Sequence, residues 1–156
     1  MPDDLPNTLW LTHLAATLFL VGLIWVVQVV HYPLFGSVGA DQFHGYWRGH
    51  TRLITWLVAP SMFAEVGTGV LLFAVRPPGL SLPVLVVAFG LLVLNWLSTW
   101  LVQIPCHEQL GRRFDPATLR RLVRTNWART AAWTLRGVLV LSQTHSLLRA
   151  SVQVEQ

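Results

Sequence analysis

The sequence predicts an all-α polytopic membrane protein, a four-helix bundle of two repeated helical hairpins forming a single transmembrane domain over residues 1–156. Three observations lead there. The chain is 53% hydrophobic and only 12% charged, and its mean hydropathy is +0.52. Four apolar runs, 9–30, 53–75, 82–104 and 126–148, each reach the roughly 20 residues a helix needs to cross a bilayer. Hydrocarbon offers free backbone groups no partners, so continuous runs of this length must be helical; a barrel would need alternating segments of roughly ten residues.

The first run follows "MPDDLPNT", which is acidic where a secretory signal would be basic, and is expected to be a permanent helix. The second follows "SVGADQFHGYWRGHTR", read as a loop, and the third follows the short turn "RPPGLS". The fourth begins at "TNWARTAAWTLRG" and carries Arg129 and Arg136 inside the span. Orientation follows from arginine, since all 11 Lys+Arg residues are Arg. Arg76 and Arg149 fall on the side of the termini, whereas Arg48, Arg52, Arg112, Arg113, Arg120, Arg121 and Arg124 fall opposite. The positive-inside rule therefore puts both termini on the non-cytoplasmic side of a plasma membrane. Topology also accounts for the sequence pI of about 10.6, and no nucleic-acid partner is expected. The single Cys106 excludes an internal disulfide.

The hairpin repeat rests on an echo. "WVVQVVHYP" ends the first run and "WLVQIPCH" the third, each with Trp-x-x-Gln followed by Pro and His. Arg52-x-x-x-Trp56 opens the second span and Arg129-x-x-x-Trp133 lies in the fourth, at matching separations from Gln28 and Gln103. Such halves would be related by an axis along the membrane normal.

Charge inside the spans marks candidate functional residues. Arg129 lies about one turn inside the inner edge, where its charge can snorkel to the headgroups. Arg136 is roughly 10 Å deeper at 1.5 Å per residue and needs a partner. Glu65 is the one acid within a span, so a Glu65–Arg136 pair between the second and fourth helices is expected, either as a lock on helix register or as a group that handles a proton or an anion. Asn126, Arg129, Trp133 and Arg136 share one helix face, as do Asn95, Thr99 and Gln103, and the first helix offers His13, Thr17, Gln28 and His31.

Most of these polar residues, with Arg52, His107 and most of the eight Trp residues, belong to the cytoplasmic half, whereas an interfacial belt would be two-sided. The pattern predicts a Trp-rich cavity there, roofed by the first loop and bordered by Gln28, Arg52, Trp56, Asn95, Gln103, His107, Asn126 and Trp133. His31, His44, His50 and His107 lie on the same side and leave haem or metal binding open. No metal site or cofactor is assigned, because HxxxH and HExxH are absent and a di-iron centre would need several inward acids.

At "GLIWVVQVVHYPLFGSVG", "FHGYWRGHTR", "AEVGTG" and "VRTNWARTAAWTLRG" the chain resembles a group of small bacterial integral membrane proteins of unassigned function. In its size, its four spans and the element Asn126-Trp127-x-Arg129 it also resembles the anthrone oxygenase-like membrane family. That second resemblance implies a flat aromatic substrate, deprotonated by His50, His31 or Glu65, whose carbanion is held by Arg129 or Arg136 as it meets oxygen without a cofactor. The expected function is thus that of a small inner-membrane protein with a polar, Trp-rich cavity and an undetermined activity. The first alternative is a cofactor-free oxygenase or oxidoreductase for a hydrophobic aromatic or quinone-like molecule. The second is a haem- or metal-binding protein or a small transporter, which with four spans would require a homodimer.

Overall fold

The computed structural model describes residues 4–154, all in helices or the short links between them. Four long helices form. Helix α1 spans 4–35 and contains a π turn at Val27–His31; α2 is Ala40–Ala74; α3 spans 82–112 with a π turn at Thr99–Gln103; α4 is Pro116–Val154. Each helix outruns its apolar run. The 35 residues of α2 and 39 of α4 correspond to about 52 and 58 Å, past a hydrocarbon layer of roughly 30 Å. The stretch 37–52, expected as a loop roofing a cavity, is helical from Ala40 onward, so α2 enters with three turns of polar and aromatic residues.

Three helices are long and apolar enough to cross a membrane, within Leu5–Phe35, Asp41–Ala74 and Leu82–Arg112. Among the described residues α4 does not meet that measure, because Arg129, Arg136, Gln143 and several Ser and Thr interrupt its apolar positions. It is instead the most polar partner of the other three. Apolar side chains such as Leu11, Phe63, Val70, Val86, Leu101 and Val138 lie exposed around the outside, the surface a bilayer would cover. Thr and Ser are accommodated by bonding back to the carbonyl four residues earlier: Thr55 to Thr51, Ser61 to Leu57, Thr130 to Asn126.

Packing is uneven around the four helices. α1 lies against α2 and α4, and α3 lies against α4, while α2 and α3 touch only sparingly. The square therefore has one open side. Three apolar layers fill it along its length. At the end with the chain termini, Trp10, Leu72, Leu80, Leu85 and Val140 pack together; in the middle, Leu20, Ile24, Met62 and Trp133; at the arginine-rich end, Tyr32, Phe35, Phe43, Trp47, Leu110 and Leu122.

The links are short and locally specified. Pro77-Pro78-Gly79-Leu80 turns the chain from α2 to α3, closed by the Leu80 N–H on the Pro77 carbonyl (3.2 Å). Gly79 has a φ of 87°, the left-handed conformation that this turn requires at its third position. At the other end Asp115 caps α4, accepting the Ala117 and Thr118 N–H groups (both 3.1 Å) and the Thr118 hydroxyl. The Thr118 hydroxyl, followed by these two amides, lowers the pKa of the Asp115 carboxyl below its ordinary value.

Because the folded carboxyl is the stronger acid, its contribution to the start of α4 is fully present above the unfolded carboxyl's pKa and lost as pH falls through the folded value. The protection of the Ala117 and Thr118 amides, measured against their intrinsic exchange rate at each pH, should therefore fall on acidification. In Asp115→Asn, whose amide oxygen also caps but does not titrate in this range, that pH dependence should disappear.

Candidate functional site: one buried ion pair and an aromatic cleft

Every helix contributes a group to Arg136, which is 1% exposed. Its Nε donates to Glu65 Oε1 on α2 (2.9 Å), its Nη1 to the Ala88 carbonyl on α3 (2.9 Å), and its Nη2 meets His13 Nε2 on α1 (2.8 Å). The second Glu65 oxygen accepts the Trp133 indole N–H of α4 (3.2 Å). Since a guanidinium only donates, His13 Nε2 must accept and the imidazole proton sits on Nδ1. That nitrogen donates to Thr68 Oγ1 (2.8 Å), whose hydroxyl in turn donates to the Ala64 carbonyl (2.6 Å). The proton positions are thus determined along the whole chain of bonds. Gly69 leaves room for the imidazole, as a Cβ there would lie 3.2 Å from His13 Cε1. The expected Glu65–Arg136 pair forms, and Glu65 is fully enclosed. His13, which the sequence placed only among the polar residues of the first helix, completes it.

The open side between α2 and α3 is a cleft of about 1320 Å³ toward the arginine-rich end. Trp47, Trp56, Trp96, Trp100 and Trp133 wall it, Ile24 and Met62 add apolar surface, and Arg52, Gln103, His107 and Arg129 supply polar groups. Trp56 and Trp100 are 75% and 58% exposed, so this wall continues onto the outer apolar surface. Trp47 stacks on His107 at 4.7 Å between ring centroids.

Arg129 differs from Arg136 in its partners. It is only 7% exposed, yet among the described residues the only ion pair is Glu65–Arg136. Its Nη1 donates to Asn126 Oδ1 (2.9 Å), and its guanidinium carbon lies 4.9 Å from the Trp133 ring centroid, a cation–π contact. Asn126 is held by its own donation to Gln28 Oε1 (2.8 Å), and Gln28 by its donation to the Val123 carbonyl (3.3 Å). The charge is positioned by neutral groups only.

Two of the buried glutamines, Gln28 and Gln103, sit in the π turns. The turns close with i→i+5 bonds, Tyr32 N–H to Val27 O and Ile104 N–H to Thr99 O. In each case a proline follows shortly, Pro33 or Pro105, and it has no N–H for the carbonyl four residues earlier, which a regular α-helix would leave unpaired. Widening the turn directs Gln28 to α4 as above and Gln103 to Thr125 Oγ1 (3.1 Å) on the same helix. The matching arginines are not equivalent: Arg52 is exposed at the cleft, Arg129 buried within it.

Of the residues singled out from sequence, Arg52, Trp56, Gln103, His107, Arg129 and Trp133 line the cleft, and Gln28 and Asn126 stand behind Arg129. Glu65 and Arg136 form the enclosed pair, joined to the cleft wall through Trp133. His31 and His50 pair with each other, Nε2 to Nδ1 at 2.6 Å, beside Phe35 and outside the cleft lining. Asn95 is buried on α3 with neither amide atom bonded. Among the described residues no group of three or more His, Cys, Asp or Glu is arranged to hold a metal. Sequence reasoning missed Tyr32 and Met62 as wall residues, since their apolar helix positions resemble ordinary core; Trp47, expected in a roofing loop, lines the cleft from α2.

No protein-family model matches the chain, and no curated protein or solved structure is significantly similar to it.

Removing one member of the buried pair leaves the other charge unpaired, which costs roughly 3–5 kcal/mol, whereas replacing both by apolar groups is often near neutral. Glu65→Leu and Arg136→Met should each lower unfolding stability in detergent by about that amount. The double variant should recover most of the loss, and its failure to do so would show that Arg136's bonds to His13 and Ala88 matter more than its charge pairing.

Proposed function

We propose that the chain is a multi-pass membrane protein that takes a flat, hydrophobic molecule out of the bilayer into the cleft between α2 and α3. One observation carries this reading: the single open side of the helix square is a large cavity walled by five Trp residues, two of them continuing onto the outer surface. Binding pockets combine such apolar walls with a few convergent polar groups, here Gln103, His107 and Arg129. A side opening toward lipid suits a ligand that partitions into membranes and need not cross water. The count of arginines by side supports a cleft in the cytoplasmic half, with both termini on the far side. The Trp-x-x-Gln-Pro echo, with a π turn at each occurrence, supports an origin by duplication of a helical hairpin.

A second reading, oxidation of a polycyclic anthrone by molecular oxygen, draws on the resemblance at Asn126-Trp127-x-Arg129. The Asn126–Arg129 bond at the cleft favours it, since a guanidinium there would stabilise a carbanion. Of the bases considered, however, His31, His50 and Glu65 do not line the cleft, whereas His107 does. Binding is therefore the primary proposal.

Trp fluorescence tests it. Anthraquinone titrated into the protein in lipid nanodiscs should quench Trp emission saturably, and Ala59→Phe, which fills the cleft, should abolish saturation while helicity by circular dichroism is retained. Purely linear quenching in the wild type would overturn the proposal.

A further inference from the structure

We infer that the ligand of this cleft is an anionic amphiphile, a membrane-soluble carboxylic acid whose carboxylate pairs with Arg129. The inference rests on the binding reading above and adds the chemistry of the head group. An arginine can be buried within apolar walls at small penalty only when its charge is balanced and its donors are filled. Arg136 meets both conditions. Arg129 meets neither: Nη1 is taken by Asn126, but among the described residues Nε has no partner, Nη2 makes no hydrogen bond and no carboxylate pairs with the guanidinium.

The free Nε–Nη2 edge has the two parallel donors that match the two oxygens of a carboxylate. Its orientation is fixed from behind, by Asn126, Gln28 and the Val123 carbonyl on one side and by the Trp133 ring on the other. Four other polar atoms on residues of the cleft wall, His107 Nδ1, Thr51 Oγ1, Trp96 Nε1 and Gln103 Oε1, are buried without partners among the described residues. Of these four only the indole is an obligate donor and only the amide oxygen an obligate acceptor, so it is the free guanidinium edge that calls for a single oxyanion. The other charged lining residues, Arg48, Arg52 and Glu108, are exposed at the mouth and neutralise nothing at depth. One buried positive charge balances the single charge of a carboxylate, while a phosphate monoester, close to two charges, would need a second buried cation. The apolar part would then lie along the Trp walls and leave between α2 and α3 toward the acyl chains.

The test compares cis-parinaric acid, a fluorescent fatty acid, with its methyl ester. Both are titrated into the full chain in phosphatidylcholine nanodiscs, at a pH where the acid is ionised in the bilayer, and read by energy transfer from the Trp residues. The acid should bind roughly 10- to 100-fold more tightly than the ester, the range of a charge-assisted bidentate pair. In Arg129→Gln the acid should lose its advantage and bind no more tightly than the ester does to the same variant. If that variant does not fold, Asn126→Asp provides the second arm, because a built-in carboxylate beside Arg129 should compete with the ligand and produce the same loss. Equal affinity for acid and ester in the wild type would overturn the anionic head and leave the hydrophobic-ligand reading standing. Failure of both probes to bind would overturn that reading and the inference with it. Stronger displacement by dodecyl phosphate than by dodecanoate would overturn the choice of a carboxylate.

Discussion

Arg136 holds a full charge in the middle of an apolar layer, and a charge there must be satisfied by protein because lipid supplies no partners. Each helix gives it something: an imidazole nitrogen from α1, a carboxylate from α2, a carbonyl from α3, and from α4 itself the Trp133 indole that holds the far side of Glu65. Few alternative arrangements satisfy all these groups together. Sliding α1 or α2 by one turn would withdraw His13 or Glu65 by about 5 Å. The network therefore sets the relative height and rotation of helices whose apolar contacts alone would allow several registers.

With the interior tied at that level, the open side between α2 and α3 becomes possible. The two helices are already joined through Arg136, so they can separate toward the arginine-rich end without losing their place. Trp133 lies at the junction, donating to Glu65 with its indole N–H and presenting its ring to Arg129. One side chain thus closes the ion-pair network and begins the cleft. Arg129 and Arg136 lie on the same face of α4, yet their surroundings give them opposite characters. Arg136 is neutralised within the protein. Arg129 is oriented by amides and a ring but has no counter-charge, which makes it the group with capacity left for a ligand.

The π turns serve that contrast. Burying a glutamine amide is tolerable only if it is bonded, and both turns direct a glutamine side chain to α4, one to the support of Arg129 and the other to Thr125. The proline after each turn, which would otherwise leave a carbonyl unpaired, is the local reason the widening occurs there.

Composition and periodicity alone determined that the chain is helical with long apolar runs, and that polar residues share one face of the first, third and fourth helices; of the four spans they predicted, three lie in helices long and apolar enough for a membrane. Scarcity did the rest: Glu65 was legible as the partner of Arg136 because no other acid lies inside an apolar run. The helix ends were not legible, since the polar stretch 37–52 has no apolar run to mark it and yet continues α2 from Ala40. Tertiary structure decided that His13 joins Arg136 and that Arg129, not Arg136, is left uncompensated. It also decided that five of the Trp residues wall a cleft between α2 and α3. These outcomes depend on helix rotation and on which neighbours meet, between residues as far apart as 13 and 136. A local pattern of hydrophobic spacing records which face of a helix is polar, but not what that face will meet.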